Sequence, residues 1–76
     1  MDFTSFLTNF AAQFDETDAC EIKAETVFRD LEEWSSMTAL GIIGMLDTDF
    51  GVTITGADLQ SCKTVQDIFN LAASRK

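Results

Sequence analysis

Six apolar residues among the first fourteen positions have the spacing of one face of an α-helix. They follow the pattern i, i+3, i+4, i+7, i+8 and i+11, as Phe3, Phe6, Leu7, Phe10, Ala11 and Phe14. A chain of 76 residues is a small domain that buries only about 60% of the surface its unfolded form exposes, so large apolar side chains have to supply the core. The spacing predicts an opening helix whose aromatic face packs into that core, with Asp2 or Thr4 as its N-cap.

Residues 36–50 carry the signals of a second helix. At about 100° per residue, five apolar side chains of this segment share one face: Ala39, Ile42, Ile43, Leu46 and Phe50. Ser35 or Ser36 occupies the N-cap position, and Gly51 suits the position just beyond the last turn. We therefore predict a helix over residues 36–50 that a serine begins and a glycine ends.

Two patterns of the capping-box type indicate two further helices. Thr55-x-x-Asp58 begins a one-turn helix that carries Leu59, and Thr64-x-x-Asp67 begins the final helix. The final helix has four apolar residues on one face, namely Val65, Ile68, Phe69 and Ala72. The chain has no proline and only four glycines, a composition that favours helices over a turn-rich β fold. The predicted fold is all-α, a four-helix bundle of three longer helices and one short helix, in a single domain over residues 1–76.

The segment between the first two helices is long and acidic. Residues 15–33 contain eight acids and two bases, a net charge of −6 against −8 for the whole chain. We expect four apolar residues to pin this loop to the core, namely Ile22, Val27, Phe28 and Leu31, with a helical turn near Thr26–Leu31. A loop of this length is unusual in so small a domain and indicates a functional role, with a solvated connector as the alternative.

The composition excludes several classes of function. The chain has no histidine, so it lacks a Ser–His or Cys–His nucleophile pair, and its two cysteines alone cannot close a tetrahedral zinc site. A net charge of −8 disfavours binding to nucleic acid and to anionic membranes. The longest uncharged run, Trp34–Leu46, is shorter than the roughly 18–20 residues of a membrane span. Two cysteines are too few for a disulfide scaffold, so a reduced, cytoplasmic protein is expected.

The cysteines and the C-terminal bases have ordinary structural interpretations. Cys62 takes an apolar position before the last helix and is expected in the core. Carboxylates around Cys20 should raise the pKa of its thiol, which disfavours a reactive thiolate. Arg75 and Lys76 lie where they complement the C-terminal dipole of the final helix.

Beyond these elements, residues from position 28 onward follow a definite order. A Phe-x-x-Leu loop precedes a serine at the start of an apolar helix. That helix has an acidic and aromatic end, which is followed by an isoleucine and then by a helix that starts with Thr-Val. The residues are Phe28, Leu31, Ser36, Met37, Leu40, Ile42, Ile43, Met45, Leu46, Asp47, Asp49, Phe50, Ile54 and Thr64–Asp67. This order resembles that of the acyl carrier protein family, and the resemblance covers nearly the whole chain.

The resemblance implies a specific modification. In that family the serine of an Asp-Ser-Leu sequence is esterified with 4′-phosphopantetheine from coenzyme A, and acyl groups are carried as thioesters on the thiol of this arm. By position that serine is Ser36. A helix N-terminus favours a phosphodiester there, because it offers unpaired N–H groups and a partial positive charge. The alternative is that Ser36 only caps the helix, although Ser35 is also able to do so.

The residues just before Ser36 depart from the family pattern. Ser35 stands where the family usually has an aspartate whose charge partner enzymes recognise. Glu32, Glu33 and Trp34 replace the usual glycine-containing turn. We expect the two glutamates, as the acids closest to Ser36, to contact partners. Trp34 is expected to pack in the core, with contact to the arm or to a partner as the alternative.

A charge-free face of the second helix is a further departure. It comprises Met37, Leu40, Gly41, Gly44 and Met45, which we expect to stay exposed and to dock a partner. Two glycines inside a helix cost about 1 kcal/mol each relative to alanine, which indicates close approach by another molecule. Exposed apolar patches usually mark interaction sites. The alternatives are neutral drift and packing of the long loop against this face.

The resemblance implies a carrier and not an enzyme, with no catalytic residue and no metal site of its own. A phosphopantetheinyl transferase would modify Ser36 with Mg²⁺ and coenzyme A. Separate acyl-loading and acyl-processing enzymes with basic surface patches would then use the arm in fatty-acid, polyketide or related biosynthesis. A monomer is expected. The alternative function is a small acidic helical adaptor that binds a protein partner and carries no prosthetic group.

Overall fold

The computed structural model describes residues 2–75, and over this range the chain forms four α-helices. They are α1, Phe3–Ala11, α2, Ser36–Phe50, α3, Gly56–Gln60, and α4, Val65–Arg75. Two 3-10 turns, Ala19–Glu21 and Phe28–Asp30, lie between α1 and α2. The predicted all-α fold of three longer helices and one short helix, with a long connection between the first two, is confirmed.

Side-chain caps fix where each helix begins. Asp2 and not Thr4 caps α1, since its carboxylate accepts a hydrogen bond from the Ser5 N–H at 3.3 Å. Both predicted capping boxes form, one at the start of α3 and one at the start of α4. At the end of α2, Gly51 has a φ of 67°, a left-handed conformation that glycine adopts without steric cost.

The core combines the phenylalanines of α1 with Phe28 and with aliphatic side chains from the other elements. Its largest fully buried side chains are Phe6, Phe10, Phe28, Ile22, Ile42, Leu46, Ile68, Val52 and Val65. The apolar spacing continues to Phe14, but α1 ends at Ala11. Phe14 is still buried, because two tight turns return the chain toward the core through bonds from Gln13 N–H to Phe10 O and from Phe14 N–H to Ala11 O.

The acidic connection between α1 and α2 is held to the rest of the fold. An antiparallel bridge pairs Val27 with Thr64, and the Val65 N–H donates to Thr26 O at 3.0 Å. The predicted helical turn appears as the 3-10 turn Phe28–Asp30. The other 3-10 turn was not predicted, although Asp18 marks it by accepting a hydrogen bond from the Cys20 N–H.

The buried face of α2 differs from the predicted one. Ile42 and Leu46 are buried as expected, but the third buried residue is Met45, so the prediction that Met45 is exposed is wrong. The physical reason is the position of α3. Ala39 and Ile43 face a groove beside α3 and stay half-buried. The face formed by Ile42, Met45 and Leu46 is therefore the one that packs against the aromatic core.

Two smaller expectations also meet the structure. Cys62 is buried, which raises the pKa of its thiol, and Asp18 raises the pKa of the exposed Cys20 thiol as expected. Arg75 does not simply face the end of α4, because its guanidinium pairs with the Asp58 carboxylate of α3. Lys76 lies outside the described residues.

Candidate functional site

The two serines at the start of α2 have different roles. Ser35 is the N-cap, and its Oγ accepts a hydrogen bond from the Thr38 N–H at 3.3 Å. Ser36 is the first residue of the helix and is exposed. Within residues 2–75 the Ser36 hydroxyl has no hydrogen-bond partner. The capping alternative for Ser36 is therefore wrong, and its hydroxyl is available for chemistry.

The start of α2 is electrostatically suited to an anion. The first N–H groups of a helix lack partners within it and carry a partial positive charge. Ser35 satisfies only the Thr38 N–H, and no acid lies in the first turn. The loop before the helix is fixed, because the Thr38 hydroxyl donates to Glu33 O at 3.0 Å. The first turn of this 15-residue helix therefore presents N–H groups and no acidic side chain next to Ser36.

A groove of about 530 Å³ opens beside Ser36, between the first half of α2 and α3. Its apolar lining consists of Trp34, Ala39, Leu40, Ile43 and Leu59. Polar residues and glycine complete the lining, namely Arg29, Ser35, Ser36, Gly56 and Gln60. An apolar surface next to a free hydroxyl at a helix N-terminus is the combination that defines this site.

Trp34 joins the groove to the core. Its ring lies 4.6 Å from the Phe28 ring and 6.4 Å from the Phe14 ring, measured between centroids. The expected packing of Trp34 against the core is confirmed. The indole also lines the groove, so one side chain serves both surfaces.

The Glu33 carboxylate is hydrogen-bonded within the protein, whereas we expected it to contact partners. Its carboxylate accepts hydrogen bonds from three successive backbone N–H groups, those of Asp15, Glu16 and Thr17, and from the Thr17 hydroxyl. The Thr17 hydroxyl is the main reason that the pKa of Glu33 lies below its ordinary value. The Glu32 side chain, in contrast, is exposed. Of the two glutamates, Glu32 is the one whose charge remains available to a partner.

The apolar face of α2 is only partly open. Met37 and Leu40 are 81% and 67% exposed, as expected, whereas Met45 is 5% exposed and belongs to the core. A Cβ atom on Gly44 would meet open space. A Cβ atom on Gly41 would lie 2.9 Å from the Gln13 Oε1 atom, so the Gln13 side chain covers this position. The open positions of this face are therefore Met37, Leu40 and Gly44.

A second depression, of about 800 Å³, lies in the acidic connection. Its lining includes five carboxylates, those of Glu16, Glu21, Asp30, Glu32 and Glu33. Across the part of the chain that the structure describes, no group of three or more Asp, Glu, Cys or His side chains has the geometry to hold a metal ion.

The sequence did not predict the groove. Its second wall comes from α3, and no local pattern marks Gly56 or Gln60 as neighbours of Ser36. Arg29 was also missed, although it is one of only two bases in an acidic segment. That isolated positive charge was the signal that could have found it.

The comparisons with known proteins agree with this geometry. The family model described as a phosphopantetheine attachment site matches residues 5–71. The chain belongs to this family. It is therefore a phosphopantetheine-carrying carrier protein, and 4′-phosphopantetheine is its prosthetic group. Members of this family are generally carriers without catalytic activity, and comparison with curated proteins finds no match.

The start of α2 fits a phosphopantetheine carrier in its chemistry. The group needs a hydroxyl that can be esterified and that is not engaged elsewhere, and Ser36 is such a residue. It also adds a phosphodiester anion, which an acid-free helix N-terminus stabilises. Within residues 2–75, no helix is both long enough and apolar enough to cross a membrane.

Proposed function

We propose that this protein carries acyl intermediates as thioesters on a 4′-phosphopantetheine arm attached to Ser36, in fatty-acid, polyketide or related biosynthesis. The observation that carries the proposal is the state of the Ser36 hydroxyl. Ser35 performs the capping, so Ser36 is left exposed and unpaired at the mouth of the apolar groove.

The attachment is a phosphoryl-group transfer that a separate enzyme catalyses. The Ser36 hydroxyl loses its proton and forms a P–O bond to the phosphopantetheine phosphorus of coenzyme A. The P–O bond to adenosine 3′,5′-bisphosphate breaks, and that nucleotide leaves. With no histidine in the chain and with the Glu33 carboxylate fully engaged, we assign the base and the Mg²⁺ to the transferase.

The groove indicates what kind of cargo the arm holds. When bound, the arm supplies a terminal thiol that carries the acyl group as a thioester. The groove walls nearest Ser36 are apolar, with Leu40 and Ile43 on one side and Leu59 on the other. Apolar surface gains about 25 cal/mol for each Å² removed from water. An alkyl or polyketide-like chain is therefore favoured over a charged cargo.

Partner enzymes approach the same end of α2 in this proposal. Any enzyme that modifies Ser36, or that takes cargo from its arm, has to approach Met37 and Leu40, which lie one and four residues further along the helix. Glu32 and the exposed Gly44 complete the proposed contact surface. The partners are a phosphopantetheinyl transferase and acyl-loading and acyl-processing enzymes with basic patches that meet the acidic chain. The carrier itself acts as a cytoplasmic monomer, as one domain and without catalysing a reaction.

Mass spectrometry tests the attachment directly. The purified chain is incubated with a phosphopantetheinyl transferase, coenzyme A and Mg²⁺, and the modified peptide is sequenced. We expect an adduct on wild type and on Ser35→Ala, and none on Ser36→Ala. An adduct that persists in Ser36→Ala and disappears in Ser35→Ala would move the site by one residue and contradict the proposal.

The adaptor function is the second candidate. One observation favours it, namely that Ser35 occupies the position where the family pattern has an aspartate that partner enzymes read. It predicts that wild type stays unmodified by transferases of different specificity while it still binds a protein partner. An adduct on Ser36 excludes it.

A further inference from the structure

Arg29 connects the segment before α2 to the far end of α3. Its guanidinium donates from Nη1 to Leu59 O at 3.1 Å and from Nη2 to Cys62 O at 2.5 Å, and Nη2 also lies 3.5 Å from Gln60 O. These carbonyls belong to the last residues of α3 and the turn that follows. Both Nη groups of the guanidinium thus bind carbonyls at the C-terminal end of α3.

α3 needs such a support because of its length. It has five residues, and a helix this short is unstable unless other groups hold its ends. At its start, Asp58 forms the capping box with Thr55 and pairs with Arg75. At its end, the Leu59 carbonyl accepts from the Cys62 N–H, and Arg29 adds side-chain donors to Leu59 O and Cys62 O. Both arginines of the chain therefore act on this one helix, at opposite ends.

The end of α3 held by Arg29 is a wall of the groove. Leu59 and Gln60 line it together with Arg29 itself, across from the α2 residues next to Ser36. The guanidinium also stacks on Phe28, with Cζ 4.9 Å from the ring centroid, and Phe28 contacts the groove residue Trp34. A continuous set of contacts therefore runs from one lining residue, Trp34, through Phe28 and Arg29 to the opposite wall. Arg75 does not line the groove.

We propose that Arg29 is a positioning residue that fixes the α3 wall and thereby sets which apolar acyl chains the groove accepts. The inference rests on the proposed function of the groove as the cargo site. A guanidinium fork satisfies two carbonyls in a fixed plane, whereas an ammonium group is a single point donor, so lysine replaces it only in part. Methionine keeps much of the length of the side chain and removes every donor.

The first experiment uses the protein without its arm, so it does not depend on modification of Ser36. Amide hydrogen exchange is measured at Leu59, Gln60 and Cys62 in wild type, Arg29→Lys and Arg29→Met. We expect about tenfold faster exchange in Arg29→Met, which corresponds to about 1.4 kcal/mol, and a smaller increase in Arg29→Lys. Exchange that is unchanged in both variants would overturn the proposal.

The same samples test access to the groove through Trp34, the one tryptophan of the chain. A series of n-alkanols of increasing length is added, and the shift of the indole emission is recorded. We expect wild type to respond best to a narrow range of lengths and Arg29→Met to lose that preference. Arg75→Met is the matched control, since it loosens the other end of α3 and replaces no residue of the lining, and it should keep the wild-type preference.

The last experiment uses the loaded carrier. Acyl chains of increasing length are transferred from acyl-coenzyme A, and the rate of thioester cleavage by hydroxylamine is measured. In wild type we expect one acyl chain length to be protected best from cleavage. Arg29→Met should lose this preference for one length, Arg29→Lys should keep part of it, and Arg75→Met should keep all of it. An unchanged length profile in Arg29→Met, or an equal change in Arg75→Met, would overturn the role of Arg29.

Failure to load any variant, wild type included, would instead count against the proposed function, and the alkanol series would then decide the role of Arg29. If Arg29→Met does not fold, Arg29→Lys decides the result.

Discussion

Glu33 and Thr17 are joined by two hydrogen bonds to the same carboxylate oxygen. The Thr17 backbone N–H and its hydroxyl both donate to Glu33 Oε1 at 2.8 Å. This contact closes the acidic connection between α1 and α2 onto the residues that immediately precede Ser36. The connection is therefore tied to the domain at this point, although most of its residues are exposed.

We predict that Glu33→Gln lowers the thermal midpoint at neutral pH. A glutamine side chain has one acceptor oxygen, so it cannot replace a carboxylate that accepts four hydrogen bonds. Glu32→Gln is the matched control, because that side chain is exposed and makes no such contacts. Thermal unfolding followed by circular dichroism compares the two variants, and equal midpoints would contradict the structural role of Glu33.

The effect of Glu33 should depend on pH in a defined direction. Hydrogen bonding to Thr17 holds the pKa of Glu33 below its ordinary value of 4.5 in the folded protein. A lowered pKa means that the stability contributed is fully present above that ordinary value and is lost as the pH falls through the lower, folded-state pKa. The midpoints of wild type and Glu33→Gln should therefore converge as acid is added, and a constant gap over the whole range would exclude this linkage.

The Asp58–Arg75 pair predicts a second, separable acid effect. Hydrogen bonding to Arg75, followed by the Thr55 N–H, lowers the pKa of Asp58 from 3.8 to about 2. Asp58→Asn should lower the thermal midpoint at neutral pH, with the difference fading as the pH falls toward 2. Asp67→Asn is the control, because Asp67 forms the same type of capping box without an arginine.

Salt distinguishes the two aspartates. Exposed charge pairs are screened by added salt, whereas hydrogen bonds to backbone N–H groups at the same positions are affected less. The destabilisation by Asp58→Asn should therefore shrink more than that by Asp67→Asn when salt is raised. Equal salt responses in unfolding experiments would show that the Arg75 pair contributes nothing beyond the cap.

The helices could be predicted from the sequence because their signals are local. The aromatic spacing of α1 and the two Thr-x-x-Asp caps act over three to four residues, and the structure confirms them. The groove could not be predicted, because Arg29 and Leu59 meet across thirty positions of the chain. The prediction of the buried face of α2 was wrong at Met45 for the same reason. Met45 and the glycines lie on adjoining faces of the helix, and only packing against other helices decides which face is buried.

We predict unequal gains in stability for alanine at the two glycines of α2. Gly44→Ala should stabilise the protein by up to about 1 kcal/mol, because alanine is the better helix former and its Cβ meets open space. Gly41→Ala should gain less, because its Cβ would press on the Gln13 amide. Adding Gln13→Ala to Gly41→Ala should recover the missing stability in urea unfolding. Equal gains for both single variants would show that Gln13 does not cover this face.

Met37 and Met45 provide the sharpest contrast within one helix. Met45→Ala should cost about 2–5 kcal/mol, as large-to-small changes in a core do, whereas Met37→Ala should stay within about 0.5 kcal/mol because its side chain is exposed. Met37→Glu should leave folding intact and slow the modification of Ser36, since it puts a charge into the surface that the transferase has to cover. Urea unfolding and the rate of adduct formation, measured on the same samples, separate the two roles. A normal modification rate in Met37→Glu would remove Met37 from the proposed partner surface, and a harmless Met45→Ala would contradict its place in the core.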